Sequence, residues 1–154
     1  MKSISALTAV VFLFLFAFQA VAASDKKHFP GIFLGYTNAN SHTDFTYGIE
    51  YEYKFNKEWG AGLVYEETND AKKGKGITVK VASLFYHPYG NWRLGLGAGE
   101  EKIGGDAPYT KDLIRLSGSY EYHIGDFGIA PTFAVDFIDG DEAYVLGVAI
   151  LRPF

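Results

Sequence analysis

From Asp44 to Phe55 the chain alternates with a period of two: Phe45, Tyr47, Ile49, Tyr51, Tyr53 and Phe55 interleave with Thr46, Gly48, Glu50, Glu52 and Lys54. A strand puts successive side chains on opposite faces, whereas a helix would scatter those six apolar residues around its axis. The same alternation recurs along the chain and predicts eight strands, near 30–38, 43–55, 59–68, 77–87, 92–100, 111–124, 127–137 and 143–154. Their lengths match the roughly 9–11 residues that a tilted strand needs to cross a bilayer. The expected fold is all-β, an antiparallel up-and-down barrel of eight strands.

The links between strands are of two kinds. Asn56-Lys57-Glu58, His87 to Asn91 and Gly125-Asp126 are tight, whereas Asn69 to Gly76 and Glu101 to Thr110 are longer and polar, with Ala39 to His42 and Ile138 to Glu142 intermediate. Short turns on one side and longer loops on the other are the habit of membrane barrels. A soluble barrel also alternates, so the direction of the faces decides. Opposite the aromatic face stand Gly35, Gly48, Gly60, Gly62, Gly95, Gly97, Gly128, Ala130 and Ala134, together with charged residues. Eight strands enclose only enough room for their own side chains. The small and charged face therefore belongs inside and the aromatic face against lipid. Trp59, Trp92, Tyr53 and Tyr122 at one end, with Tyr36, Tyr47, Tyr65 and Tyr144 at the other, form the expected interfacial girdles.

At the amino end, Lys2, the apolar run Ile4 to Phe18 and the small residues Ala20-Val21-Ala22 have the layout of a secretory signal peptide. Residues 1–22 are expected to be removed, with cleavage after Ala23 as the alternative, leaving 23–154 as one barrel domain. Without Lys2 the chain keeps 13 of its 14 basic residues against 18 acidic ones, a formal charge of −5. That balance argues against a nucleic-acid partner, which needs a clustered basic footprint. There is no cysteine, which excludes a disulfide, a thiolate metal site and a lipoprotein anchor.

The stretch Thr43-Asp44-Phe45-Thr46-Tyr47-Gly48-Ile49-Glu50-Tyr51-Glu52-Tyr53, His87-Pro88 ahead of Trp92-Arg93-Leu94, and Asp136-Phe137-Ile138-Asp139-Gly140-Asp141-Glu142-Ala143 carry a resemblance. The chain resembles small outer-membrane barrels of the OmpA/OmpX type, and within them is similar to an uncharacterised family of short bacterial porin-like barrels. The resemblance implies the bacterial outer membrane, with both mature termini periplasmic. Phe154, ending the apolar series Tyr144, Leu146, Val148, Ile150 on the last strand, resembles the signal read by the barrel-assembly machinery.

Nine charged residues are expected inside: Glu50, Glu52, Lys54, Glu66, Lys80, Arg93, Arg115, Glu121 and Asp136. Charges in so narrow a space must pair, so the interior reads as a salt-bridged plug without a solute pore. A turn at Gly125-Asp126 sets Arg115 opposite Asp136, and one at Asn56 to Glu58 sets Lys54 opposite Gly60 and Glu52 opposite Gly62. His28, His42, His87 and His123 are dispersed, His87 in a turn, with no metal-ligand spacing. Ser119 and His123 share a strand face but lie roughly 13 Å apart at strand rise, too far for a nucleophile and its base. Eight-stranded lipid A deacylases carry His-x-Ser, which is absent here; Ser41-His42-Thr43-Asp44 bears a weak likeness to the polar cluster of lipid A palmitoyltransferases. The expectation is a structural or surface-interaction barrel without catalytic residue, cofactor or metal, the alternative being a lipid A modifying hydrolase or acyltransferase. Lipid and lipopolysaccharide are the expected partners, Lys72, Lys73 and Lys75 offering a phosphate contact, and the barrel is expected to be a monomer.

Overall fold

The structure, a computed structural model, describes residues 26–69 and 75–154. The expected signal peptide, residues 1–22, lies outside them. The described residues contain no helix. They form β1 (His28–Ala39), β2 (His42–Lys54), β3 (Trp59–Thr68), β4 (Ile77–Tyr86), β5 (Trp92–Ile103), β6 (Tyr109–Tyr120), β7 (Tyr122–Ile124), β8 (Phe127–Ile138) and β9 (Asp141–Leu151). Both β6 and β7 pair with β8 in one register, so they are a single barrel strand interrupted at Glu121. Every neighbouring pair is antiparallel, and pairing of β1 with β9 and of β6 with β8 closes the ring.

Two hairpins turn on residues with positive φ at both central positions, Asn40 (51°) with Ser41 (66°) and Asp139 (48°) with Gly140 (86°). That backbone hand matches the twist of the flanking strands. The ladder reaches further at the end opposite the chain termini, the outer end of the barrel as drawn from them, than the polar composition suggests. β5 and β6 stay paired out to Ile103 and Tyr109, so Glu101, Lys102 and Thr110 are strand residues where a loop was expected. Backbone pairing needs no apolar side chain, which is why composition misplaced the boundary.

Following paired positions around the barrel from Phe29 leads through Glu52, Gly62, Ser83, Gly97, Arg115, Asp136 and Ala143 to Ala39, ten residues along the starting strand. Eight strands with that stagger tilt by about 40° and leave a lumen just wide enough for side chains.

The faces fall as the alternation predicts. Ile32, Leu34, Ile49, Leu63, Leu84, Leu96, Leu116, Phe133, Leu146 and Val148 point outward and are exposed, while Glu52, Glu66, Arg93, Arg115 and Asp136 are buried. This inverts the polarity of a water-soluble domain, in which buried charges are rare. The lumen holds apolar side chains as well: Phe33, Ala130, Ala134, Val145, Ala149 and Leu151 cluster along β1, β8 and β9, and a second cluster lies at the outer end beside the buried Glu101. Ile77, Val79, Val81, Ile103, Leu113, Ile138 and Ala143 form an apolar cluster there, next to a hydroxyl chain in which Thr46 touches both Thr37 and Thr68 at 2.7 Å.

Candidate functional site

The lumen holds two ion networks. The inner one begins with Glu52, at an inward position of β2. Gly62 lies opposite, and a Cβ at Gly60 would collide with its carboxylate, so glycine makes the space that this long side chain occupies. Glu52 Oε1 lies 2.6 Å from His87 Nε2. Arg93 donates through Nη1 to Glu50 at 2.7 Å and through Nε to Ser119 Oγ at 3.1 Å, and stands 3.6 Å from Glu52 Oε2. Its guanidinium also lies over the Phe85 ring, 4.8 Å from the centroid, a cation–π contact in a water-poor space. Lys54 stands 4.1 Å over the Phe29 ring, within electrostatic reach of Glu52 and Glu121. Glu121 Oε1 is buried without a hydrogen bond although His123 Nε2 is 3.3 Å away; the contact is close but misaligned.

Arg115 organises the second network. Its Nε and Nη2 donate to the two oxygens of Asp136 at 2.6 and 2.7 Å, while Nη1 and Nη2 donate to the two oxygens of Glu66 at 3.0 and 2.7 Å. A planar guanidinium with five N–H groups is the side chain that two carboxylates can grip at once. All three residues are at least 95% buried.

Between the networks a void of about 20 Å³ touches Glu50, Glu66, Arg93, Arg115, Ser83 and Ser117. That is room for one water molecule. Among the described residues the ion networks occupy the inner part of the lumen and an apolar cluster lies across its outer end.

Eight of the nine expected interior charges are inward, and Lys80 is not. It sits on the outer wall of β4, 57% exposed, 3.2 Å from Glu100 on β5. β4 misleads because its inward positions at the outer end, Ile77, Val79 and Val81, are as apolar as any lipid-facing series. Two residues that the sequence placed elsewhere are inside. His87, two positions beyond Phe85, keeps the inward parity of β4 and is buried, although Pro88 and Gly90 mark a turn. Glu101, expected in a loop, is buried on β5. Ser119 is engaged by Arg93, and His123 is half exposed beside Glu121; among the described residues no Ser–His pair forms. Lys72 and Lys73 fall outside the described residues. Lys75 is exposed and its side chain packs close to Gly105. The Phe154 backbone pairs with Lys27 and His28, and its ring stacks on His28 at 5.1 Å, beside the seam between β1 and β9.

No protein-family model matches the chain, and no curated protein sequence does. Solved structures match over its length. Neisserial surface protein A superposes with a TM-score of 0.60 at 12% identity, covering 87% of this chain and all of that one. The amino-terminal β-barrel domain of Pseudomonas aeruginosa OprF gives 0.59 at 17% identity, over 84% of this chain and 98% of that one. Ail of Yersinia pestis, in complex with the heparin analogue sucrose octasulfate, gives 0.52 at 13%, over 84% and 97%. The chain has the fold of small eight-stranded outer-membrane barrels.

Proposed function

We propose that the chain is a pore-less barrel of the bacterial outer membrane with a structural or surface-interaction role, both mature termini lying on the periplasmic side. One observation carries this reading: the barrel buries its charges in paired networks and turns aliphatic and aromatic side chains outward. A closed ring is also one of the two backbone arrangements that satisfy every peptide group in hydrocarbon. An interfacial girdle is present at the end that holds the chain termini, where Trp59, Tyr86, Trp92, Tyr120 and Tyr122 pack in pairs.

The immediate partners in this reading are outer-leaflet lipid and lipopolysaccharide, with the exposed Lys75 as a phosphate contact and Lys72 and Lys73, outside the described residues, as further candidates. That Ail, of the same fold, is seen with a sulfated sugar supports a polyanion contact for this barrel type. Phe154, paired at the closing seam, is proposed as the residue read during assembly.

Fractionation tests the location. The expected result is recovery with outer membranes and a band that shifts on heating before electrophoresis, because a closed barrel resists detergent unfolding. Recovery in the soluble periplasm without a heat-dependent shift would overturn the reading.

A further inference from the structure

The outer wall is not uniform around the barrel. Near the outer end β8, β9, β1 and β2 present Phe137, Tyr144, Tyr36, Phe45 and Tyr47. β4 and β5 present Thr78, Lys80, Ala98 and Glu100 at the matching end, and no outward aromatic stands on these strands beyond Tyr86 and Trp92. The girdle therefore has a gap, filled by an exposed ion pair, Lys80 Nζ to Glu100 Oε1 at 3.2 Å. Charge on the lipid face is costly at the bilayer midplane and tolerated at the height of the girdle, where this pair stands. Below the pair, Ala82 and Ala98 are direct cross-strand neighbours, and an open trough of about 910 Å³ that runs around the outer wall past Ile150, Ile32, Ile49 and Leu63 ends at these four residues and Asp112.

We propose that this wall, contrary to the monomer expected from the sequence, is where two copies of the chain meet, related by a two-fold axis along the membrane normal. The inference rests on the membrane reading above. Such a rotation sets β4 of one copy against β5 of the other, with residues of similar height facing each other. Lys80 and Glu100 are cross-strand partners and so lie at similar height; each then meets the opposite charge on the second copy, and four charges alternate in sign. A self-complementary patch of this kind is what a two-fold interface requires. The short Ala82 and Ala98 side chains let the two walls approach at the same place, as small residues do between membrane elements. An anionic lipid headgroup fits this wall less well, because the outward Glu100, Asp112 and Glu67 outnumber the outward Lys80 and Lys102.

The chain has no cysteine, so single-cysteine trapping is clean. Ala98→Cys, treated in outer membranes with a short bismaleimide that spans the offset between the two Ala98 positions flanking the axis, is expected to give a cross-linked dimer of twice the chain mass. Leu146→Cys, on the aromatic wall, is expected to give none. In the Ala98→Cys background, Lys80→Glu and Glu100→Lys are each expected to lower the dimer yield at least tenfold, and the double swap to restore it. Both side chains are exposed, so the heat-shifted band, read in parallel, reports that every variant is folded in the membrane. Folded barrels with no more dimer from Ala98→Cys than from Leu146→Cys, or a yield indifferent to the swaps, would overturn the interface and leave the wall to lipid. An adduct of another mass would overturn it in favour of a different protein. Loss of the heat-shifted band from the unaltered chain would instead strike the membrane reading.

Discussion

Arg115 on β6 and Asp136 on β8 are direct cross-strand partners whose side chains meet inside the lumen through two hydrogen bonds of 2.6 and 2.7 Å. Glu66, from the far side of the barrel, grips the remaining edge of the same guanidinium. Replacing Arg115 by Ala leaves two buried carboxylates facing each other. The expected loss is about 3–5 kcal/mol, the usual consequence of stripping one partner from a buried ion pair. Adding Asp136→Asn is expected to recover part of it, so a double-mutant cycle on urea unfolding in detergent reads a coupling. Strict additivity would sink the pairing.

His87 and Glu52 form the tightest contact of the inner network, 2.6 Å between side chains that are both nearly inaccessible. His87→Ala leaves Glu52 to Arg93 at 3.6 Å and is expected to cost about 1–3 kcal/mol through the unsatisfied carboxylate oxygen. His87→Gln retains a donor and is expected to lose less. Equal unfolding midpoints for the two variants would argue that packing, not the hydrogen bond, holds this position.

Glycine has two meanings along these strands. A Cβ at Gly62 would run into the carbonyl oxygen of Tyr51, which the ladder holds in place, whereas at Gly118 the nearest atom is Leu94 Cδ2 at 3.8 Å. Gly62→Ala is expected to lose about 1–3 kcal/mol by overpacking, and Gly118→Ala to be tolerated. A heat-shift assay on the two single variants distinguishes them, and equal behaviour would contradict the close approach of β2 and β3.

Planar-bilayer recordings are expected to show no open steps for the native barrel. The same result is expected for Arg115→Ala, because Ile103, Leu113 and Ile138 still close the outer end of the lumen, and an apolar constriction excludes water and ions. Stepwise conductance from Arg115→Ala would move the seal from the apolar cluster to the ion pairs.

Much of this barrel was legible because two rules of strand geometry are rigid. Period two fixed the faces wherever they differ in chemistry, as in β2, and a tight turn at Gly125-Asp126 fixed the register that sets Arg115 against Asp136. Both rules weaken where polarity reverses along the lumen. Lys80 was misplaced because the interior beside it is apolar, so β4 offers aliphatic residues on both faces and only parity with Phe85 and Tyr86 separates them. His87 was hidden by its turn neighbours, and Glu101 by the assumption that a polar stretch ends a strand. The role of the wall around Ala82 and Ala98 left no trace in any motif, since it depends on which strands lack an aromatic, and that is visible only once the ring is closed.

The apolar cap has a consequence for how the molecule is free to change. The side chains that close the lumen come from strand positions such as Val79, Val81, Leu113 and Ile138, within the paired ladder. The hairpin tips at Asn40-Ser41 and Asp139-Gly140 contribute none of them. In the proposed reading those tips face outward, and changes to them are expected to leave the closure of the lumen intact.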